Sequence, residues 1–249
     1  MNFYEKKYGQ RETNQIVALT CALVRRYCAP LPPDLEILDI GCGTMHLSTR
    51  IAESIQAAMP RVRSIHLTGW DISSMAVQEA QNRGLDAHTV DITRPLPETA
   101  DRFNVICFLE VLEHIVDTDQ AIRNIYALLR PDGFLVLSTP NLASWYNRLF
   151  LILGLQPHCA EVSFDRCFGN WITQKLFSKG HPAGHLRLFT LSALLEFLRY
   201  HGFEILALRG ISNHRLDLIS KALTLCSASL CGDICLIARK RQQKKAEGG

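Results

Sequence analysis

The sequence contains no apolar run of membrane-spanning length and no paired cysteine motif. Its longer apolar segments fall short of the roughly 20 residues that a membrane-spanning helix needs. The nine cysteines include no C-x-x-C pair, and their odd number argues against a complete disulfide framework. The spacing of Cys226, Cys231 and Cys235 matches no common zinc pattern. We therefore expect free thiols in a reducing compartment.

The chain also lacks a large excess of positive charge and a leader-like N-terminus. The formal net charge is +3, and several basic residues belong to the terminal run ARKRQQKKAEGG, which is typical of a solvated tail. Nucleic-acid binding is therefore not favoured. The opening stretch MNFYEKKYGQRETNQ is charged from its fifth residue and has no apolar core. We expect neither a secretory signal nor a membrane anchor, and a cytoplasmic protein.

What the sequence does contain is an alternation of strand-like and helix-like segments. Near-continuous apolar runs such as LEILDI (35–40) and GFLVLSTP (133–140) are separated by amphipathic segments of helical length. This alternation predicts an α/β fold with a doubly wound, mostly parallel sheet of seven strands, covered by helices on both faces. The predicted helices cover residues 45–58, 74–83, 118–129 and 191–202.

A glycine-rich loop follows the first strand, in the stretch EILDIGCGTMHLSTRIA (36–52). Two glycines let the backbone approach a ligand closely, and the following helix offers unpaired N–H groups to a polar partner. Ligands of open parallel sheets bind beyond the carboxyl ends of the strands. The residues expected there are Asp39, Gly41, Cys42, Gly43, Asp71, Asp91 and Glu110.

The spacing of these carboxylates favours a nucleoside ligand. Asp71 can accept both hydroxyls of a ribose, because a carboxylate binds a diol in bidentate fashion. Asp91 can accept from an adenine amino group, with Ile72 or Ile92 flanking the base. A nicotinamide dinucleotide is the least favoured alternative, since the third glycine of G-x-G-x-x-G is absent. Carboxylates suit a nucleoside that carries a cationic sulfonium.

Five blocks in order resemble the class I S-adenosylmethionine-dependent methyltransferases over residues 35–141. The blocks are LDIGCGTMHLS, GWDIS, VDIT, FNVICFLEVLEH and LLRPDGFLVLSTPN. The resemblance implies a Rossmann-like methyltransferase fold with an inserted cap, and S-adenosylmethionine as cofactor. It places Gly41 and Gly43 beside the methionine moiety, Asp71 at the ribose and Asp91 by the adenine. The family often has glycine where this chain has Met45, which we expect to begin the helix.

The block EVLEH (110–114), with the later GHLRLFT, resembles a narrower group that includes ubiquinone-biosynthesis O-methyltransferases. This resemblance implies a small-molecule acceptor, with oxygen the favoured atom. The protein must then mainly align the acceptor and remove its proton. His114 is the best general-base candidate, and Glu110 or Glu113 could orient it. The alternative is that these side chains only cap a local turn.

The set Glu110, Glu113, His114 and His185 also resembles the metal-binding residues of small-RNA 2′-O-methyltransferases. Two carboxylates and two imidazoles could hold a divalent ion that polarises the accepting hydroxyl. The sequence LRLFT replaces the aromatic-acidic sequence that those enzymes have after the second histidine. A divalent metal and an RNA acceptor are therefore less favoured alternatives. A non-catalytic partner protein that keeps the nucleoside site is a further one.

The whole chain, 1–249, is predicted to form a single domain, because its length and 47% hydrophobic content suit one sizeable core.

Aromatic residues in the predicted cap (141–186) suit an apolar or aromatic acceptor, or form the cap's own core. The stretches RLFLILGL (148–155) and LISKALTLCSASL (218–230) could contact a membrane surface transiently, with core packing as the simpler alternative. The predicted parts are an N-terminal helical segment (1–33), a cofactor-binding core (34–140), the cap (141–186), the rest of the core (187–240) and a basic tail (241–249). The cap aromatics are Trp145, Tyr146, Phe150, Phe164, Phe168 and Trp171.

Overall fold

A computed structural model gives the structure of the chain and describes residues 3–28, 31–96, 101–172, 182–211 and 227–241. The helices there are α1 (Phe3–Tyr27), α2 (His46–Ala58), α3 (Ser74–Asn82), α4 (Thr118–Leu128), α5 (Trp145–Ile152) and α6 (Leu191–Tyr200). The strands are β1 (Asp34–Ile40), β2 (Ser64–Asp71), β3 (Asp86–Thr89), β4 (Phe103–Leu109), β5 (Leu129–Pro140), β6 (Phe203–Ile211) and β7 (Asp233–Lys240). Single 3₁₀ turns cover Leu112–His114 and Ala228–Leu230.

The strands form one seven-stranded sheet in the order β3-β2-β1-β4-β5-β7-β6. Strand β1 is parallel to both β2 and β4, whereas β7 is antiparallel to β5 and β6. The strand order reverses between β1 and β4, which places a crevice at their carboxyl ends. The predicted fold class, a doubly wound and mostly parallel seven-stranded sheet, is confirmed.

Both faces of the sheet are buried, which explains the near-continuous apolar runs. Leu35 and Ile37 of β1 pack against helices α1 and α2, while Leu38 and Ile40 pack on the other face with α4 and α6. Successive side chains of a strand point to opposite faces, so a strand covered on both faces needs apolar residues at nearly every position.

Strand β1 begins one residue before the predicted 35, and the predicted helices agree with α2, α3, α4 and α6 to within two residues at each end. Strand β5 begins at Leu129, four residues before the predicted 133, because Leu129 already pairs with Phe103 of β4. Asp132 adopts a φ of 61° within this early part of the strand. Helix α4 consequently ends at Leu128, where the chain enters the sheet.

The chain leaves the sheet after β5 and returns to it before α6. Asn141 fixes the exit, because its side-chain amide donates to the carbonyls of Ser229 and Cys231, both at 2.9 Å. Its backbone forms a parallel bridge with Phe189, which fixes the return. The predicted cap lies between these points, and its residues 173–181 lie outside the described part.

The aromatic residues of the cap divide into two sets. Tyr146 and Phe150 of α5 are buried, and the Tyr146 ring contacts the rings of Trp145 and His158. Another set is exposed, so these side chains do not form a core for the cap. The exposed aromatics are Phe164, Phe168 and Trp171.

The stretch 148–155 is also more exposed than core packing would require. Leu151, Ile152 and Leu153 are all more than half exposed, so the simpler expectation of core packing does not describe them. Most of the second apolar stretch, 218–226, lies outside the described residues. No helix in the described ranges is long and apolar enough to cross a membrane.

Met45 occupies the turn between β1 and α2 in a left-handed conformation, with a φ of 59°. Helix α2 begins at His46, one residue later than predicted, and Met45 is its N-cap. The side chain is fully buried and packs with Val77 of α3 and Ala87 of β3. A β-carbon on Gly69 would lie 2.7 Å from the Met45 sulfur, so the two residues are in close contact. The left-handed φ accounts for the glycine that the resemblance leads one to expect here.

We predict that Met45→Gly destabilises the protein although it relieves the left-handed backbone. Truncating a buried methionine costs roughly 2–5 kcal/mol, whereas relief of the left-handed conformation gains only about 1–2 kcal/mol. Met45→Ala removes the side chain but keeps the strain, so it should be less stable than Met45→Gly by roughly 1 kcal/mol, the reverse of the usual helix order. Urea unfolding measures this. If Met45→Gly is as stable as wild type, the buried side chain of Met45 does not contribute the packing energy expected of it. Met75→Ala, at an exposed methionine, is the control.

Candidate active site

The glycine loop after β1 is tied to the end of the neighbouring strand β2. The N–H groups of Gly41 and Cys42 donate to the carbonyl of Trp70 at 2.7 and 3.1 Å. Gly41 has a φ of 74°, and a β-carbon on it would collide with Val111. Glycine is therefore required at this position both for the backbone conformation and for the space beside the chain after β4.

Asp71 holds the glycine loop from the carboxyl end of β2. Its Oδ2 accepts the N–H of Gly43 at 2.7 Å, and its Oδ1 accepts the N–H of Ser73 at 2.8 Å. Two N–H donors fix the plane of the carboxylate. Each carboxylate oxygen has a second lone pair, which is the acceptor geometry that a ribose diol needs.

Asp39 and Cys42 are buried behind this loop. Burial raises the pKa of Asp39 to about 7. A hydrogen bond from Ser48 opposes part of this rise, and the negative charge of Asp71 adds to it. Burial and the same carboxylates also raise the pKa of the Cys42 thiol. Its sulfur lies against the backbone of Gly69. The Cys42 thiol is thus a packing group, and this residue can serve a ligand only through its backbone.

Asp91 follows β3 and stabilises its own turn. Its Oδ1 accepts both the N–H and the hydroxyl of Thr93, at 2.9 and 2.6 Å, and Arg94 Nε lies 3.3 Å from Oδ2. These contacts, led by the Thr93 hydroxyl, lower the pKa of Asp91. Of the two residues predicted to flank a base, Ile72 is 72% exposed, whereas Ile92 is 5% exposed and packs in the core. Ile72 alone presents its side chain at the surface.

Glu110 directly follows β4 in a left-handed conformation, with a φ of 58°. Its Oε1 accepts the hydroxyl of Ser138 at 2.6 Å, and its N–H donates to the carbonyl of the same serine at 3.0 Å. The neighbouring strand β5 therefore holds both the backbone and the carboxylate of Glu110. A left-handed non-glycine residue held in this way is typical of ligand-binding edges.

Three of the predicted site residues meet beyond β4. Glu113, His114 and His185 each offer one ligand or acceptor atom, and these atoms lie within 4.8 Å of one another. Glu113 is fully buried, its Oε2 accepts the Thr139 hydroxyl at 3.0 Å, and its Oε1 lies 3.8 Å from His114 Nε2. Glu110, the fourth member of the predicted metal set, does not belong to this group.

Backbone carbonyls orient the two imidazoles. His114 Nδ1 lies 3.0 Å from the carbonyl of Gly184, and His185 Nδ1 lies 3.0 Å from the carbonyl of Cys159. A carbonyl can only accept, so Nδ1 carries the proton in both rings. In the neutral ring Nε2 is then the basic nitrogen, and it lies on the Glu113 side of His114.

Comparison with known proteins decides the family. A sequence model described as a methyltransferase domain matches residues 11–208, and the strand order and glycine loop agree with it. The chain belongs to the class I S-adenosylmethionine-dependent methyltransferases. It is therefore an enzyme, its cofactor is S-adenosylmethionine, and the alternative of a non-catalytic partner protein is set aside.

Relatives of this methyltransferase carry an O-methyltransferase name. The ubiquinone biosynthesis O-methyltransferase of Marinobacter nauticus is 31% identical over 192 residues, which are 74% of this chain and 70% of that protein. The same-named protein of Coxiella burnetii is 28% identical over 187 residues, 73% of this chain and 68% of the relative. The magnesium protoporphyrin IX methyltransferase of Synechocystis PCC 6803, solved with bound SAH, has a TM-score of 0.59 at 18% identity, covering 96% of this chain and 88% of that one.

Three polar residues beside the candidate site were not predicted from the sequence: Ser138, Thr139 and Glu161. Ser138 and Thr139 interrupt the apolar strand β5, and two polar residues at the end of a buried strand are a usable signal. Glu161 had no such signal, because its partners are backbone N–H groups 22 to 24 residues further along the chain. Contacts of this kind leave no side-chain pattern in the sequence.

We predict that Asp71→Asn weakens S-adenosylmethionine binding at least about tenfold, which corresponds to about 1.4 kcal/mol. An asparagine keeps the shape but has one acceptor oxygen, so either Gly43 or Ser73 loses its partner. Calorimetric titration measures the affinity. Asp34→Asn, at the opposite end of β1, is the control and should bind normally. An unchanged affinity in Asp71→Asn would mean that the ribose lies elsewhere.

The raised pKa of Asp39 predicts a loss of stability as the pH rises. The folded protein holds this proton up to about pH 7 and the unfolded chain only to 3.8, so stability falls between these values. Asp39→Asn removes the dependence and should stabilise the protein more at pH 8 than at pH 5, by on the order of 2 kcal/mol. Urea unfolding at both pH values tests this. An equal change in stability at pH 5 and pH 8 for Asp39→Asn would show that the pKa of Asp39 is not raised.

Proposed function

We propose that this methyltransferase transfers the methyl group to an oxygen of a small apolar or aromatic acceptor, with His114 as general base. The arrangement around His114 carries the proposal. Its Nδ1 is held by the Gly184 carbonyl at 3.0 Å, and its Nε2 lies 3.8 Å from the buried Glu113. The O-methyltransferase names of the relatives support the choice of oxygen and of a small acceptor over RNA.

The cofactor half of the site is proposed from the glycine loop and the strand ends. Gly41 and Gly43 would lie by the methionine moiety, where a side chain has no room on Gly41. Asp71 would accept from the ribose hydroxyls, and Ile72 and Asp91 would lie by the adenine. The anchored carboxylate of Asp71 and the exposed side chain of Ile72 fit an adenosyl group.

On the acceptor side, the protein removes the proton of the acceptor hydroxyl. S-adenosylmethionine, when bound, supplies a methyl group already activated by a positive sulfur, so the acceptor oxygen needs only alignment and deprotonation. Nε2 of His114 accepts the hydroxyl proton. The buried carboxylate of Glu113, oriented by Thr139, then stabilises the resulting imidazolium at 3.8 Å.

A divalent ion is a second candidate for the same step, favoured by one observation. Glu113, His114 and His185 bring three ligand atoms within 4.8 Å, and both imidazoles use Nδ1 for a backbone carbonyl. A histidine that binds a metal through Nε2 is usually held in this way. The ion would polarise the acceptor hydroxyl. Loss of activity with a chelator, and its recovery with magnesium, would select this version.

The surface of the cap supports an apolar acceptor that resides in or near a membrane. Ile152, Phe164 and Trp171 are among its exposed apolar side chains. Such side chains are typical of surfaces that meet lipid or apolar ligands. Transient contact with a membrane surface therefore forms part of the proposal.

We predict that His114→Ala spares cofactor binding and lowers the rate of methyl transfer by roughly 10²–10⁴-fold, the usual contribution of a general base. Calorimetry gives the affinity, and transfer of a labelled methyl group to a phenol with an apolar tail gives the rate. His88→Ala, on the exposed edge strand β3, is the matched control. A wild-type rate in His114→Ala would reduce this residue to a structural role.

A further inference from the structure

Residues 183–187, here called the strap, connect the cap to the proposed general base. On the cap side, Glu161 accepts the N–H groups of residues 183, 184 and 185 at 2.6, 2.6 and 3.0 Å. On the core side, the N–H groups of residues 186 and 187 donate to the carbonyl of Glu113 at 2.7 and 3.0 Å. The strap is therefore held from both sides. On the cap side, the carboxylate of Glu161 accepts all three hydrogen bonds.

The strap positions the His114 ring through a carbonyl and carries the neighbouring His185 ring. Its Gly184 carbonyl accepts the Nδ1 proton of His114, and its His185 ring lies 5.1 Å from the His114 ring, centroid to centroid. Gly184 has a φ of 86°, which turns its carbonyl and N–H groups in directions that few other residues allow. A shift of the strap would therefore move the carbonyl that selects the tautomer of His114.

Glu161 can accept the three N–H groups of the strap as a carboxylate, whereas an amide in its place could not. Burial acts to raise its pKa, but the three N–H donors and His185 outweigh it, and the pKa is lowered. An ionised carboxylate only accepts, so it can serve three N–H groups at once. A glutamine would turn an NH₂ group towards one or more of these donors.

We infer that Glu161 is a positioning residue of the acceptor half of the site. It holds Gly184 where the carbonyl keeps the proton of His114 on Nδ1, and so keeps Nε2 as the nitrogen that takes the acceptor's proton. This inference rests on the proposed function for its effect on the rate. The tautomer itself depends only on the strap and can be observed without any acceptor.

Glu161→Gln tests the inference, with the exposed Glu196→Gln of α6 as matched control. We expect S-adenosylmethionine affinity within about twofold of wild type, and kcat lowered roughly 10- to 100-fold. Nitrogen-15 NMR of the histidine rings should show His114 as the Nδ1–H tautomer in wild type and as a mixture in Glu161→Gln. Glu161→Asp, which keeps the charge, should recover part of the rate.

The outcomes separate this inference from the proposed function. An unchanged tautomer and rate in Glu161→Gln, where His114→Ala is inactive, would overturn the role of Glu161. A changed tautomer with an active His114→Ala would support the positioning role and overturn the general base. If Glu161→Gln does not fold, Gly184→Ala replaces it, since among the described residues a β-carbon there meets only His114 Nδ1, at 3.9 Å. An alanine is strained at the left-handed φ of this position, so the Gly184 carbonyl should move and the His114 tautomer should shift. An unshifted tautomer would overturn the control of His114 by the strap, on which the inference rests.

Discussion

The buried carboxylate of Glu113 is the group on which the proposed acceptor side of this methyltransferase depends. Its Oε2 is held by Thr139 of the sheet, its Oε1 faces His114, and its backbone carbonyl accepts two N–H groups of the strap. A buried carboxylate is costly unless it is paired and hydrogen-bonded. Thr139 of the sheet donates to this carboxylate and His114 lies beside it, while the backbone carbonyl of the same residue holds the strap, so Glu113 links the sheet, His114 and the strap.

The two halves of the site are built from different parts of the chain. The proposed cofactor half comes from short turns at the ends of β1, β2 and β3, where Asp71 holds the glycine loop through the N–H of Gly43. The proposed acceptor half joins the turn after β4 to the cap, through Gly184 and Glu161. In the proposed function, the first half holds the cofactor and the second contacts the acceptor.

The sequence predicts the sheet well and the surroundings of His114 only in part. The alternation of apolar runs with helical segments predicts the sheet, and the rule that ligands bind at the carboxyl ends of strands points to Asp71 and Glu110. The left-handed backbone of Met45 could not be predicted, because the buried contact with Gly69 that offsets it involves residues distant in sequence. The role of the strap was also missed, since Glu161 binds backbone groups that every residue carries.

The most direct test of the account is to identify the product by mass spectrometry. The purified protein would be incubated with S-adenosylmethionine and a phenol or catechol that carries an apolar tail. The account predicts one added methyl group, located on a phenolic oxygen. A methyl group on carbon or nitrogen, or no product from folded protein that binds the cofactor, would contradict it.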